Sequence, residues 1–176
     1  MKIGLFYGST TCYTEMAAEK IQAAIGEDIV ELHNIKDESL ILCLDYDYII
    51  FGISTWDYGQ LQEDWESCWD DIKQLDLTNK IIALYGMGDQ IGYSEWFQDA
   101  LGMLHQEILQ LGAELVGYWP NQGYQFAASK ALTEDHSHFV GLALDEDNQY
   151  QLSEQRITQW SEQILTEIIE LLANNE

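Results

Sequence analysis

Basic residues are what this 176-residue chain has least of. Seven Lys and Arg stand against 31 Asp and Glu, for a formal net charge of −24. That deficit excludes nucleic acid as a partner, because phosphate backbones are held by Lys and Arg. It excludes anionic membrane surfaces for the same reason. The deficit is also local. From Asp37 to Asp71 there are ten carboxylates and no Lys or Arg, and from Ile81 to Ser129 there is again no Lys or Arg. A field of one sign costs stability by self-repulsion and steers basic partners at long range. Cysteine is scarce too. Cys12, Cys43 and Cys68 are odd in number and widely spaced, so they make neither a disulfide framework nor a Cys-x-x-Cys pair, and free thiols in a reducing compartment are expected. No run of ~18 apolar residues is available to span a bilayer. The N-terminus starts straight into strand-like sequence without the pattern of a secretory leader, so a cytoplasmic protein is expected. Linkers, repeats and low-complexity tracts are lacking as well, and one domain over residues 1–176 is expected.

What is present alternates between two kinds of segment. Ile3–Tyr7, Ile29–Leu32, Tyr48–Ile53 and Ile81–Tyr85 are apolar and β-branched or aromatic rather than alternating, as strands buried on both faces are. A fifth strand reads as split, Leu115–Tyr118 and then Phe139–Leu144. Between the strands, apolar residues recur at helical spacing: Ala17, Ala18, Ile21, Ala24 and Ile25; then Phe97, Ala100, Leu101, Leu104, Ile108 and Leu111. A weaker helix runs from Glu63 to Ile72, with Trp65 and Trp69 four apart as a core-facing stripe. The last helix carries Ile157, Trp160, Ile164, Ile168 and Leu171 behind Ser153 as N-cap. The alternation predicts an α/β three-layer sandwich, a parallel sheet with helices on both faces. Residues 119–138 have no clear periodicity, which in such a domain marks a functional or packed excursion.

In an open parallel sheet, ligands bind beyond the carboxyl ends of the strands. Three loops fall there. Ser9-Thr10-Thr11-Cys12-Tyr13-Thr14 joins the first strand to the first helix; it is rich in hydroxyls and free of Lys and Arg. Backbone N–H groups at such a helix start cradle anions, so this loop suits a phosphate monoester held by dipoles rather than cations. Ser54-Thr55-Trp56-Asp57-Tyr58-Gly59 and Met87-Gly88-Asp89-Gln90-Ile91-Gly92-Tyr93 each carry a large aromatic among small and acidic residues. Trp56 and Tyr93 can flank a flat ring, each pair adding ~0.5–1.5 kcal/mol beyond area burial. A phosphate cradle with an aromatic clamp is what flavin mononucleotide (FMN) needs. His136 and His138 are expected to contact solvent rather than a metal.

Taken together, Gly8 to Glu15, Thr55 to Gly59, Gly88 to Tyr93 and Gly141 to Gln149 resemble the flavodoxins, in order and over nearly the whole length. The interrupted last strand resembles their long-chain subclass, and Thr11 to Met16 together with Gln62 to Glu66 its B-type subgroup. The resemblance implies a five-stranded parallel sheet of order 2-1-3-4-5 and an FMN-dependent, low-potential carrier of single electrons with no catalytic residues. It implies that Ser9, Thr10, Thr11, Cys12, Tyr13 and Thr14 hold the phosphate. Trp56 and Tyr93, with Ser54, Thr55, Gly59 and Gly88 around them, would enclose the ring. The peptide joining Asp57 and Tyr58 would lie by the flavin N5, Asp89 by the pyrimidine end, and Asp145 in the surroundings. The implied donor is a basic-faced, NADPH-dependent flavodoxin reductase; the acceptors are redox proteins, and the carrier is a monomer. Many members have Gly at the place of Cys12, which calls for either an ordinary backbone or an altered loop there. The alternative on the same fold is an FMN-dependent quinone or azo reductase. A phospho-receiver ranks lower, because the first strand ends in Tyr7-Gly8-Ser9 rather than an acidic pair.

Overall fold

The first apolar run becomes a strand with all five residues buried, β1 (Ile3–Tyr7), in a computed structural model that describes residues 1–174. It is buried because parallel strands flank it on both sides. β2 (Val30–Asn34) pairs with it from Ile3↔Val30, and β3 (Tyr48–Trp56) from Ile3↔Tyr48. β5 (Ile81–Met87) follows β3 in parallel, from Tyr48↔Ile81 to Ser54↔Met87. The fifth position is shared by two short strands. β6 (Glu114–Val116) pairs with the first half of β5 and β9 (Leu142–Leu144) with the second half, both parallel. The order is β2-β1-β3-β5-β6, with β9 beside β6's place, which is the 2-1-3-4-5 sheet with a split last strand that the sequence implied. The stretch between the halves holds a small antiparallel pair, β7 (Trp119–Pro120) and β8 (His138–Phe139).

Successive strand residues point to opposite faces and so feed two cores. Leu5 and Tyr7 pack with α1 (Tyr13–Ile25) and α5 (Glu146–Asn174) through Ala17, Ile21, Trp160 and Ile164. Phe6, Phe51 and Ile53 pack on the other face with α2 (Glu63–Ser67), α3 (Trp69–Ile72) and α4 (Asp99–Gln110) through Trp65, Leu101 and Leu104. Trp65 is fully buried and Trp69 half-buried against the same core. Cys43 also lies in that core, and burial pushes its thiol up to about 12.

Several boundaries differ from the expected ones. β2 starts at Val30 and ends at Asn34, and β5 continues two residues past Tyr85. β3 continues past Ile53 because Thr55 and Trp56 pair antiparallel with Leu61 and Gln60 of β4 (Gln60–Leu61). The helix expected over Glu63–Ile72 is two helices, broken where Cys68 leaves helical geometry at φ −105, ψ 11. Of Leu115–Tyr118 only the start is strand, and of Phe139–Leu144 only Leu142–Leu144 joins the main sheet. Ser153 is not the N-cap of the last helix. It is buried within α5, whose first turn is capped by Asp145, with Asn148 N donating to Asp145 Oδ1 at 3.0 Å. Gln149 then kinks the helix with φ −135.

Candidate functional site

The carboxyl ends of β1, β3 and β5 and the start of α5 enclose a cavity of about 240 Å³. Its wall is Thr11, Tyr13 and Thr14 from the first loop, Ser54, Thr55, Trp56 and Asp57 from the end of β3, Met87, Gly88, Asp89 and Tyr93 from the end of β5, and Glu146 and Asp147 from α5. The three loops singled out in the sequence therefore meet at one place.

The first loop is braced from below. Tyr85, wholly buried, donates its hydroxyl to Thr14 O at 2.8 Å, and Tyr7 donates to Glu15 Oε1 at 3.0 Å. The phenols are the un-ionised donors, since burial raises both well above the usual tyrosine range. Ser9, Thr10 and Cys12 are in the loop but not on the cavity wall. Thr10 instead accepts from Gln62 Nε2 at 3.1 Å, a contact tying the loop to α2. Gln62 is fully buried and its Oε1 also takes Asp64 N and Trp65 N; its segment entered the sequence reading only through the resemblance, without a role for the side chain. Ser9 Oγ is buried and has no hydrogen-bond partner among the described residues. Cys12 stands at the N-cap of α1 with φ 67, so of the two possibilities raised by its side chain the ordinary backbone is excluded. A Cβ in this left-handed region costs on the order of 1–2 kcal/mol. Cys12→Gly is therefore expected to stabilise the chain by about 0.5–1 kcal/mol, after the entropy that Gly adds to the unfolded chain. The urea midpoint of the flavin-free protein reads it directly.

In the second loop, Trp56 Nε1 donates to Ser54 Oγ at 3.0 Å, which fixes the indole on the wall. Thr55 Oγ1 accepts Ala100 N at 3.0 Å, so α4 anchors the same strand end. The turn passes through positive φ at Asp57 (42°) and Gly59 (86°). Tyr58 is 70% exposed, off the wall, with its ring edge-on to Trp96 at 5.0 Å. A Cβ on Gly59 would come within 2.8 Å of Asp99 Oδ2. Asp99 itself is buried and accepts Lys130 N at 2.8 Å, yet burial raises its carboxyl above the usual range. A carboxyl with a raised folded-state pKa is most favourable below the unfolded pKa and loses stability as pH rises through the folded one. Asp99→Asn keeps the acceptor and removes the charge. It is expected to melt above the parent at pH 7, with the gap closing as pH falls to about 4; melting curves at the two pH values check this.

The third loop turns around Asp89, whose Oδ1 accepts Ile91 N (3.1 Å), Gly92 N (2.7 Å) and Asn148 Nδ2 (2.8 Å). Tyr93 lies on the wall and is 40% exposed. Asp145 is fully buried and away from the wall. It accepts Gln90 N at 3.1 Å, Gln90 Nε2 at 2.7 Å and Asn148 N at 3.0 Å. Its neighbours Glu146 and Asp147, and Met87 at the head of the third loop, are on the wall although their stretches carried no cofactor role for them in the sequence. The acidic run 145–147 was the available signal. Burial, then Asp89, Asp145 and Glu146, raise the Asp147 carboxyl. Among the described residues, four carboxylates thus line the cavity and no Lys or Arg does. The arrangement suits a flat ring between aromatics with an anionic tail toward the α1 N-terminus, and it resists further negative charge at the acidic end.

Comparison with known proteins gives a consistent picture. A family model described as Flavodoxin matches residues 5–160. The chain is 59% identical over 170 residues to Flavodoxin 2 of Escherichia coli K12, covering 97% of this chain and 98% of the relative. It is 47% identical over 166 residues to Flavodoxin of Nostoc sp. PCC 7120, covering 94% and 96%. Among solved structures, the Fusobacterium nucleatum flavodoxin bound to flavin mononucleotide superposes with a TM-score of 0.89 at 26% identity, covering 94% of this chain and 98% of that one.

Proposed function

This chain belongs to the flavodoxin family, and from that premise we infer how its own residues hold and tune the cofactor. It is an FMN-containing electron carrier and not an enzyme. The observation that carries the residue-level reading is the single cavity joining the hydroxyl-rich loop at the α1 N-terminus to Trp56 and Tyr93. The buried, partnerless Ser9 Oγ supports it, since an orphaned hydroxyl in this loop suits an anion with oxygens to spare.

When bound, FMN supplies a ring that takes up and returns single electrons. Thr11, Tyr13 and Thr14 receive the phosphate, with Ser9 behind them and Thr10 and Cys12 shaping the loop. Trp56, locked through Ser54, and Tyr93 cover the ring and exclude water. Asp57, Asp89, Glu146 and Asp147 oppose added negative charge where water is excluded, which lowers the potential. The net charge of −24 attracts basic-faced partners, and the wall carboxylates Asp57, Asp89, Glu146 and Asp147 add to that attraction at this end, for an NADPH-dependent reductase as donor and redox proteins as acceptors. The carrier works as a monomeric single domain in the cytoplasm; no helix of the described residues is long and apolar enough to cross a membrane. The quinone or azo reductase reading is not favoured, the relatives being flavodoxins.

The test is an anaerobic stepwise reduction of the purified protein followed through the visible spectrum. Two spectrally distinct one-electron stages are the expected result. A single two-electron stage with quinone turnover would move the assignment to the reductase. Absence of flavin after FMN is added back would remove the site assignment altogether.

A further inference from the structure

We propose that the insertion spanning residues 119–138 is a buttress for the cavity wall that carries Asp89 and Tyr93, and that Gln90 is the positioning residue coupling the two. The proposal rests on the FMN reading above for its consequence, though not for its geometry.

Four backbone N–H groups of the insertion donate into one short segment, residues 90–99. Gln125 N donates to Gln90 Oε1 at 2.6 Å. Ala127 N donates to Ser94 Oγ at 2.8 Å and to Ser94 O at 2.9 Å, and Ala128 N to Ser94 O at 3.1 Å. Lys130 N donates to Asp99 Oδ1 at 2.8 Å. These segments lie some thirty residues apart in the chain. Gln90 is the member that leads inward. It is 2% exposed, and its amide nitrogen and its backbone N–H both donate to Asp145 Oδ2. Asp145 in turn takes Asn148 Nδ2, which also donates to Asp89 Oδ1 on the wall. A continuous line of hydrogen bonds therefore runs from the insertion backbone through Gln90, Asp145 and Asn148 to Asp89.

The insertion is held from its other side as well. Arg156, the sole arginine of the chain, is buried on α5 with its guanidinium 4.2 Å from the Tyr124 ring centroid. Arg156 Nη1 donates to Gln149 Oε1 at 2.7 Å, and Gln149 Nε2 donates to Gly123 O at 2.8 Å. Tyr124 donates its hydroxyl to Ala143 O at 2.6 Å. The insertion is thus strapped between α5 and the 90–99 segment. The loop from Gly88 to Tyr93 belongs to neither a helix nor a strand, so its rigidity has to come from such anchors. A buried amide with both ends engaged is costly to disconnect, since removing it leaves Asp145 and Gln125 short of partners.

Two variants test the coupling, Gln90→Met at the junction and Arg156→Ala at the far strap, whose hydrogen bond to Gln149 and ring contact with Tyr124 are both off the cavity wall. Hydrogen exchange is measured on the flavin-free chain, and FMN release on the loaded one. With Gln90→Met, amides 88–93 and 125–130 are expected to exchange at least about tenfold faster, the effect of losing both hydrogen bonds of the side-chain amide, with FMN release accelerated similarly. Amides of the first α1 turn stay at the parent rate. With Arg156→Ala, exchange rises across 121–130 and, by about threefold, at 88–93 as well. An Arg156→Ala protein whose insertion loosens while amides 88–93 and FMN release keep parent rates overturns the proposal. If the parent chain takes up no FMN, the functional reading fails while the exchange comparison still decides the coupling.

Discussion

Trp65→Ala is expected to cost the fold about 3–5 kcal/mol, the usual range for a deleted core tryptophan. The side chain is wholly buried in the core beneath α2, edge-on to Phe51 at 5.5 Å. Its Nε1 donates to Gly52 O at 2.8 Å, so the truncation also removes the shorter of two hydrogen bonds to that carbonyl, which keeps Gly8 N at 3.4 Å. Trp65→Phe keeps most of the volume and loses only the donor, so an intermediate loss of about 1–2 kcal/mol is expected there. Urea unfolding followed by far-ultraviolet circular dichroism measures both. A loss from Trp65→Ala equal to that from Trp65→Phe would show that packing at this site contributes little. Gly8 lies directly against this ring: a Cβ there would come 3.0 Å from Trp65 Cδ1 and closer still to Gln62. The first loop is therefore seated on Trp65, and phosphate affinity should fall with it.

Trp56→Ala is expected to weaken FMN binding by roughly 100-fold, about 2–3 kcal/mol, from lost apolar burial plus lost ring stacking. Trp56 is the better fixed of the two aromatics, with its indole tied to Ser54. Tyr93 is more exposed, so Tyr93→Ala should cost less, about tenfold. Fluorescence titration of the flavin-free protein with FMN compares them. A loss below threefold for Trp56→Ala would mean that the ring lies elsewhere than the cavity wall suggests.

Much of this was legible in the chain because it depends on local pattern. Buried parallel strands announce themselves as apolar runs, and the loops after them fall at the carboxyl edge by topology alone. Even the split fifth strand could be read from two apolar pieces separated by an aperiodic stretch. What escaped depends on contacts between distant residues. Ser153 has the right side chain for a cap, but Asp145 is the one whose carboxylate meets the free N–H of Asn148. Thr10 looks like its neighbours, yet Gln62, fifty-two residues on, engages its hydroxyl. The acidic run 145–147 points one member into the protein and two at the cavity, and composition cannot say which. The extension of β3 follows from a two-residue partner, Gln60–Leu61, too short to show a period.

The shared fifth position of the sheet has a further consequence, for how copies of the chain behave at high concentration. An exposed, uninterrupted strand at a sheet edge is a template on which another molecule can add a strand. Here β6 and β9 offer three residues each, and residues 117–141 separate them. The opposite edge, β2, is five residues long and carries Glu31, His33 and Asn34. Neither margin presents a long apolar ladder, and the net charge of −24 makes copies of the chain repel one another. The interruption that admits the insertion therefore also protects the sheet against edge-to-edge aggregation.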